Sequence, residues 1–152
     1  MKRAALALVL ALLPLLPVSA WRIVYKEQYY KLYHEHFYHY PDDTMESIHY
    51  LEEAMKADFC NPLYAMATIR NETEWERYRY LFNLHVNLRL IYLYLTLGSK
   101  YDKQVAYFYN APWQRQNLES IALAEQVYRV AYRYWEEAQR WSARAWAMRT
   151  VH

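Results

Sequence analysis

Glycine is almost missing from this chain: Gly98 stands alone among 152 residues. Phosphate-cradling loops, dinucleotide-binding turns and nucleophile elbows each need several glycines, where backbone approaches a ligand or takes a positive φ. The shortage therefore argues against all three, and for a helical chain with few tight turns. Cysteine is equally scarce. Cys60 alone cannot build an intramolecular disulfide framework, and in an oxidising compartment it is left as a candidate for joining two chains. An excess of charge of either sign is also lacking. The chain carries 18 basic and 16 acidic residues, and two of the basic ones, Lys2 and Arg3, belong to a segment expected to be removed. The balance left is 16 against 16, which gives no support for nucleic acid or an anionic membrane as partner.

That removable segment opens the chain. A basic start (MKR), the apolar run 4–17 and the small residues Val18, Ser19 and Ala20 before Trp21 have the order of a secretory signal peptide. The run is too short and too interrupted by Pro14 and Pro17 for a comfortable membrane span. Trp21 stands where a lipoprotein signal would need cysteine. The expectation is residues 1–20 as a cleaved signal and 21–152 as one domain, periplasmic or secreted, with no stable membrane insertion after cleavage.

What the mature region has in quantity is tyrosine, all 18 of them. Tyrosine fills a core while keeping a polar handle, or builds a contact surface at low entropic cost. The longest organised stretch is 113–146, with no glycine or proline inside it. Ile121, Ala124, Tyr128, Ala131, Trp135, Ala138, Ser142 and Ala145 recur at spacings of three and four, one face of a continuous helix. Leu123, Val127, Val130, Tyr134 and Trp141 widen that face, so the helix is expected to touch more than one partner. Glu125–Arg129 and Glu136–Arg140 sit at the favourable i, i+4 spacing on the back.

Taken in order, the chain reads as about six helices, near 22–40, 44–58, 62–69, 74–97, 100–109 and 113–147, with short connections that favour antiparallel neighbours. Pro41 stops the first. Asp43 with Glu46 caps the second, and Asn61-Pro62 ends it and opens the third. Thr73 with Glu76 opens the fourth, and Gly98 is expected at the residue just past its end. The fourth helix's apolar stripe is Trp75, Tyr78, Phe82, His85, Leu88, Tyr92 and Leu95, with His85 read as a satisfied core histidine. Asn71-Glu72-Thr73 matches a glycosylation acceptor, relevant only in a eukaryotic source.

Two stretches carry a resemblance. The run 47–58, SIHYLEEAMKAD, closed by Asn61-Pro62, resembles the second helix of a tetratricopeptide repeat, with Ser47, Leu51, Ala54, Met55 and Asp58 at matching positions. Phe59 stands where that family has its proline. LGSKYD at 97–102 resembles the turn between the repeat's two helices, with one extra residue. The resemblance covers about a third of the mature chain and implies stacked antiparallel helix pairs with a protein-binding groove, not chemistry. The residues it would assign to a partner's peptide are Tyr80, Asn83, Asn87, Arg89 and Tyr94, the alternative being a solvated helix flank. The APW…NLE…AE…YWEEA…WS run over 111–142 is similar to periplasmic proteins of spirochaetes, some of which build the collar around the periplasmic flagellar motor.

Catalytic templates find no footing. No serine lies in an elbow, Cys60 has no adjacent cation, and the adjacent pairs Glu52/Glu53 and Glu136/Glu137 diverge by about 100° on a helix. The leading expectation is an all-α, non-catalytic scaffold without cofactor, binding an envelope or periplasmic protein; a homo-oligomer is left open. The alternative is a periplasmic metal- or small-ligand-binding protein using His34, His36 and His39. His36 and His39 lie one turn apart while His34 points elsewhere, so a second element would have to complete the site.

Overall fold

The computed structural model describes residues 22–102 and 114–148. The expected signal segment and most of the helix expected at 100–109 lie outside these. The described residues are all-α, with four α-helices and no strand. They are α1 (Lys26–His39), α2 (Thr44–Lys56), α3 (Glu72–Asp102) and α4 (Gln114–Ala147), with one 3-10 turn, Pro62–Tyr64, between α2 and α3. None of these helices is long and apolar enough to cross a membrane.

The first turn of α1 fastens the N-terminal half together. The Lys26 ammonium, almost fully buried, donates to the carbonyls of Ala54 (2.9 Å) and Met55 (2.8 Å), placing a cation on the unpaired carbonyls that end α2. Burial pushes its pKa down, against the pull of Asp58 and Glu27. The buried Glu27 carboxylate accepts from the Cys60 amide (3.0 Å) and the Tyr78 hydroxyl (3.3 Å), tying the loop after α2 to α3. Asp43 caps α2 as expected, accepting from the Glu46 amide at 3.2 Å. The core sits where α1, α2 and α3 meet: Tyr33, Ile48, Leu51, Val86, Leu90 and Leu93, with Tyr30, Phe37 and Phe82 packed against them.

The most extensive contact is between α3 and α4, two helices of 31 and 34 residues, each close to 50 Å long at about 1.5 Å per residue. Ala124, Ala131 and Ala138 are all buried and seven residues apart, so one face of α4 presents small side chains at every second turn and lets α3 approach closely.

Four expectations need correction. The stretch expected to be helical at 62–69 is only the 3-10 turn. There Asn61 does cap, accepting from the Leu63 amide at 3.0 Å, but the carbonyls beyond Ala65 find no helical partner. Asn71 rather than Thr73 opens α3, accepting from the Glu74 amide at 2.8 Å. Gly98 does not end that helix. It lies inside α3 with no positive φ, and a Cβ built there would overlap the Tyr128 ring of α4. Glycine is needed at 98 for contact, so LGSKYD at 97–102 is the last stretch of a continuous helix and not a turn. Finally, Arg140 pairs with Glu137 at 2.6 Å, not with Glu136, while Glu125–Arg129 forms as expected at 2.6 Å.

Candidate interaction surface

Helix α3 is apolar on more than one side, and its neighbours cover only two of them. Val86, Leu90 and Leu93 are buried against α1 and α2, and Trp75 is buried beside Phe59 of the loop after α2. The stripe expected from the sequence follows this buried line only through Trp75, Tyr78 and Phe82. His85, Leu88, Tyr92 and Leu95 are exposed, because steps shorter than 3.6 residues rotate a stripe progressively off the covered face.

Leu88, Tyr92 and Leu95 form, with Leu81, a second apolar line. On α4 the matching line is Ile121, Tyr132 and Trp135, displaced around the helix from the buried alanines. Trp135, expected inside, is 47% exposed, and Tyr132 is 62% exposed. Between the helices runs an open groove. One cavity of about 530 Å³ lies among Leu84, Leu88, Trp135, Ala138, Gln139 and Trp146. A second, of about 330 Å³, shares Leu84 and Trp146 and continues it toward Arg77 and Leu81. A third, of about 400 Å³, opens near the other end between Asp102, Ile121 and Tyr132.

The opposite side of the same hairpin is closed by polar contacts. Tyr94 on α3 and Tyr134 on α4 stack at 5.6 Å, and both hydroxyls donate to one oxygen of Glu52 on α2, at 2.6 and 2.9 Å. Burial first, and then the carboxylate, push both phenols well above the usual tyrosine pKa. Three helices are thus held through one carboxylate.

The five residues assigned to a partner by resemblance do not share one surface. Asn83 is 6% exposed and Asn87 fully buried, with the Asn87 amide donating to the Asn83 carbonyl at 2.7 Å. Tyr94 is engaged by Glu52. The Tyr80 hydroxyl donates to Glu76 at 2.5 Å and its ring lies against Trp141. Arg89 is exposed on the α1 side, close enough to His85 to join burial in lowering that histidine's pKa. His85 itself is hydrogen-bonded to the Tyr30 hydroxyl at 2.7 Å, at the edge of the core.

His34 and His39 are exposed, and His36 is half-buried between Tyr40 and Tyr50 with Asp43 at 3.5 Å. Among the described residues no three metal-capable side chains come together. Cys60 is free and buried, and burial with the Glu27 carboxylate beside it pushes the thiol up to about 11. That placement removes the thiol from ready pairing with another chain. What residue-by-residue reading missed was the heptad spacing of Leu81, Leu88 and Leu95, visible in the sequence as a second apolar line on α3.

The α3–α4 hairpin is also what places the chain among known sequences. The family model described as Domain of unknown function (DUF8513) matches residues 73–152, more than half of the chain, and the protein belongs to that family. No curated protein and no solved structure matches it.

Proposed function

We propose that this protein is an exported, non-catalytic helical scaffold of the periplasm or cell envelope, which holds a protein partner in the open groove of the α3–α4 hairpin. The observation that carries this reading is a pair of cavities joined through Leu84 and Trp146, beside the exposed line of Leu81, Leu88, Tyr92 and Leu95. Single exposed apolar residues are ordinary on a protein surface, but a line of leucines on one helix facing a line of aromatics on the next marks a docking site. Trp135 and Tyr132 supply the large, rigid side chains that dominate binding energy at protein interfaces. The tetratricopeptide resemblance of α2 supports a scaffold of antiparallel helix pairs, with Ser47, Leu51 and Ala54 buried as such a helix requires. The signal-like start supports export, and the collar resemblance makes the periplasmic flagellar motor the first place to look for the assembly.

The test is retention from the protein's own envelope extract, comparing tagged wild type with Leu88→Glu/Trp135→Glu. A stoichiometric protein held by the wild type and lost from the variant supports the reading. The same protein held equally by both removes the groove from it.

A further inference from the structure

We propose that the occupant of the α3–α4 groove is a second copy of this chain, two hairpins meeting face to face as a twofold-symmetric four-helix bundle. This rests on the reading of the groove as a protein-docking surface, and it names the partner.

Shape argues first. The open surface spans both helices, with Leu81, Leu88, Tyr92 and Leu95 on one and Ile121, Tyr132 and Trp135 on the other. A lone helix laid in the groove would cover the inner edges of these two lines and leave their outer flanks wet. Another layer two helices wide covers both, which is how antiparallel pairs close into four-helix bundles. Leu81, Leu88 and Leu95 repeat every seven residues, while Leu84 and Ile91, at the interleaved positions, are already half-covered. One half of a heptad seam is therefore used and the other half open, the pattern a further long helix packs into.

Area argues next. With side chains of this size, the exposed fractions of those seven residues amount to about 800 Å², the share each partner contributes to a stable protein interface of standard size.

Charge is compatible with self-association. At the edge of α4 beside Ile121 and Tyr132 both signs are present, with Glu125 paired to Arg129 at 2.6 Å. A rim of one sign would repel its own copy, whereas a mixed rim lets the acid of one protomer meet the base of its partner.

The experiment is sedimentation equilibrium on the full chain purified from its own cells, at up to about 100 µM, for wild type and Leu88→Glu/Trp135→Glu. Both positions are half-exposed, so the variant's helical circular dichroism is expected to match the wild type's. The wild type is expected at twice the mass of one chain. Two charges from each protomer, four across the twofold interface, are expected to weaken self-association by about a hundredfold or more. A monomeric wild type over this range overturns the proposal, and so does a variant that dimerises as well as the wild type. If the wild type is monomeric yet the groove retains a different envelope protein, the second copy is excluded and the docking reading stands. If neither is seen, both fall.

Discussion

Replacing Gly98 with alanine sets two effects of opposite sign against each other. Gly98 lies inside α3, where alanine is favoured over glycine by about 0.8–1.0 kcal/mol. The added Cβ, however, falls on the Tyr128 ring, and Tyr128 is not free to leave, since its hydroxyl donates to Asp102. Overfilling a packed contact costs about 1–3 kcal/mol. The net expectation is a loss of about 1 kcal/mol, read as a fall of roughly 3–6 °C in melting temperature for a domain of this size. The informative comparison is the same substitution in a Tyr128→Ala background. With the ring gone, Gly98→Ala should stabilise by about 1 kcal/mol, so the two backgrounds differ in sign and the cycle isolates the contact. Thermal or urea unfolding of the four proteins measures it. A cost that persists without Tyr128 would mean that the backbone at 98 takes a left-handed conformation, and a gain in the wild-type background would mean that the ring does not press on α3.

Other expectations follow from the same packing. Ala131→Leu should cost about 1–3 kcal/mol, because Ala131 is buried on the face of α4 that packs against α3, whereas the same substitution at the exposed Ala122 should change stability by no more than about 0.5 kcal/mol; similar effects at both sites would contradict the burial of the alanine row. Glu52→Gln should cost about 1–2 kcal/mol by urea unfolding, since two phenols donate to one carboxylate oxygen, and an unchanged midpoint would show that the three-helix tie contributes nothing. Tyr78, Tyr94 and Tyr134 have pKa values raised above the ordinary value of 10.0 by burial and by neighbouring carboxylates. Their contribution is fully present below about pH 10 and is lost as pH rises from there toward the folded-state values, so melting temperature should fall steeply above pH 10; a flat profile to pH 11.5 would contradict the burial. Cys60, with its thiol pushed up to about 11, should react with a disulfide reagent at pH 8 only as fast as the protein opens, and rapid labelling of the native protein would show it to be accessible.

The legibility of the fold varied with how many faces each helix uses. The last helix was read almost to its ends, expected over 113–147 and found as Gln114–Ala147, because it has no helix breaker and one dominant row of alanines. Helix α2 was as clear: a capping aspartate, then Ile48, Leu51 and Ala54 on a single buried stripe. Helix α3 was not, since apolar residues surround it and periodicity alone could not tell which line is covered. The expected stripe therefore runs through Leu88 and Leu95, which are exposed, and omits Val86, Leu90 and Leu93, which are core. Gly98 misled for a related reason. A glycine late in a helix suits the residue past its end, but it equally suits a contact with a ring from a helix elsewhere in the chain, and sequence does not show what approaches. The candidate site suffered most. The tetratricopeptide resemblance puts Asn83 and Asn87 on a partner-binding face, yet they are interior; the open surface is made of leucine and aromatic residues, which a reading by hydrophobicity assigns to the core.

The most direct measurement is hydroxyl-radical footprinting of the native envelope extract against the isolated chain at low concentration. Leu88, Tyr132 and Trp135 report on the groove, while Tyr38, Leu63 and Tyr64, exposed elsewhere on the molecule, serve as internal controls. The expected result is strong protection of the first three in the extract with the controls unchanged, whichever protein covers the groove. Equal modification of all six in both samples would mean that the α3–α4 face stays bare, and the scaffold reading would fail.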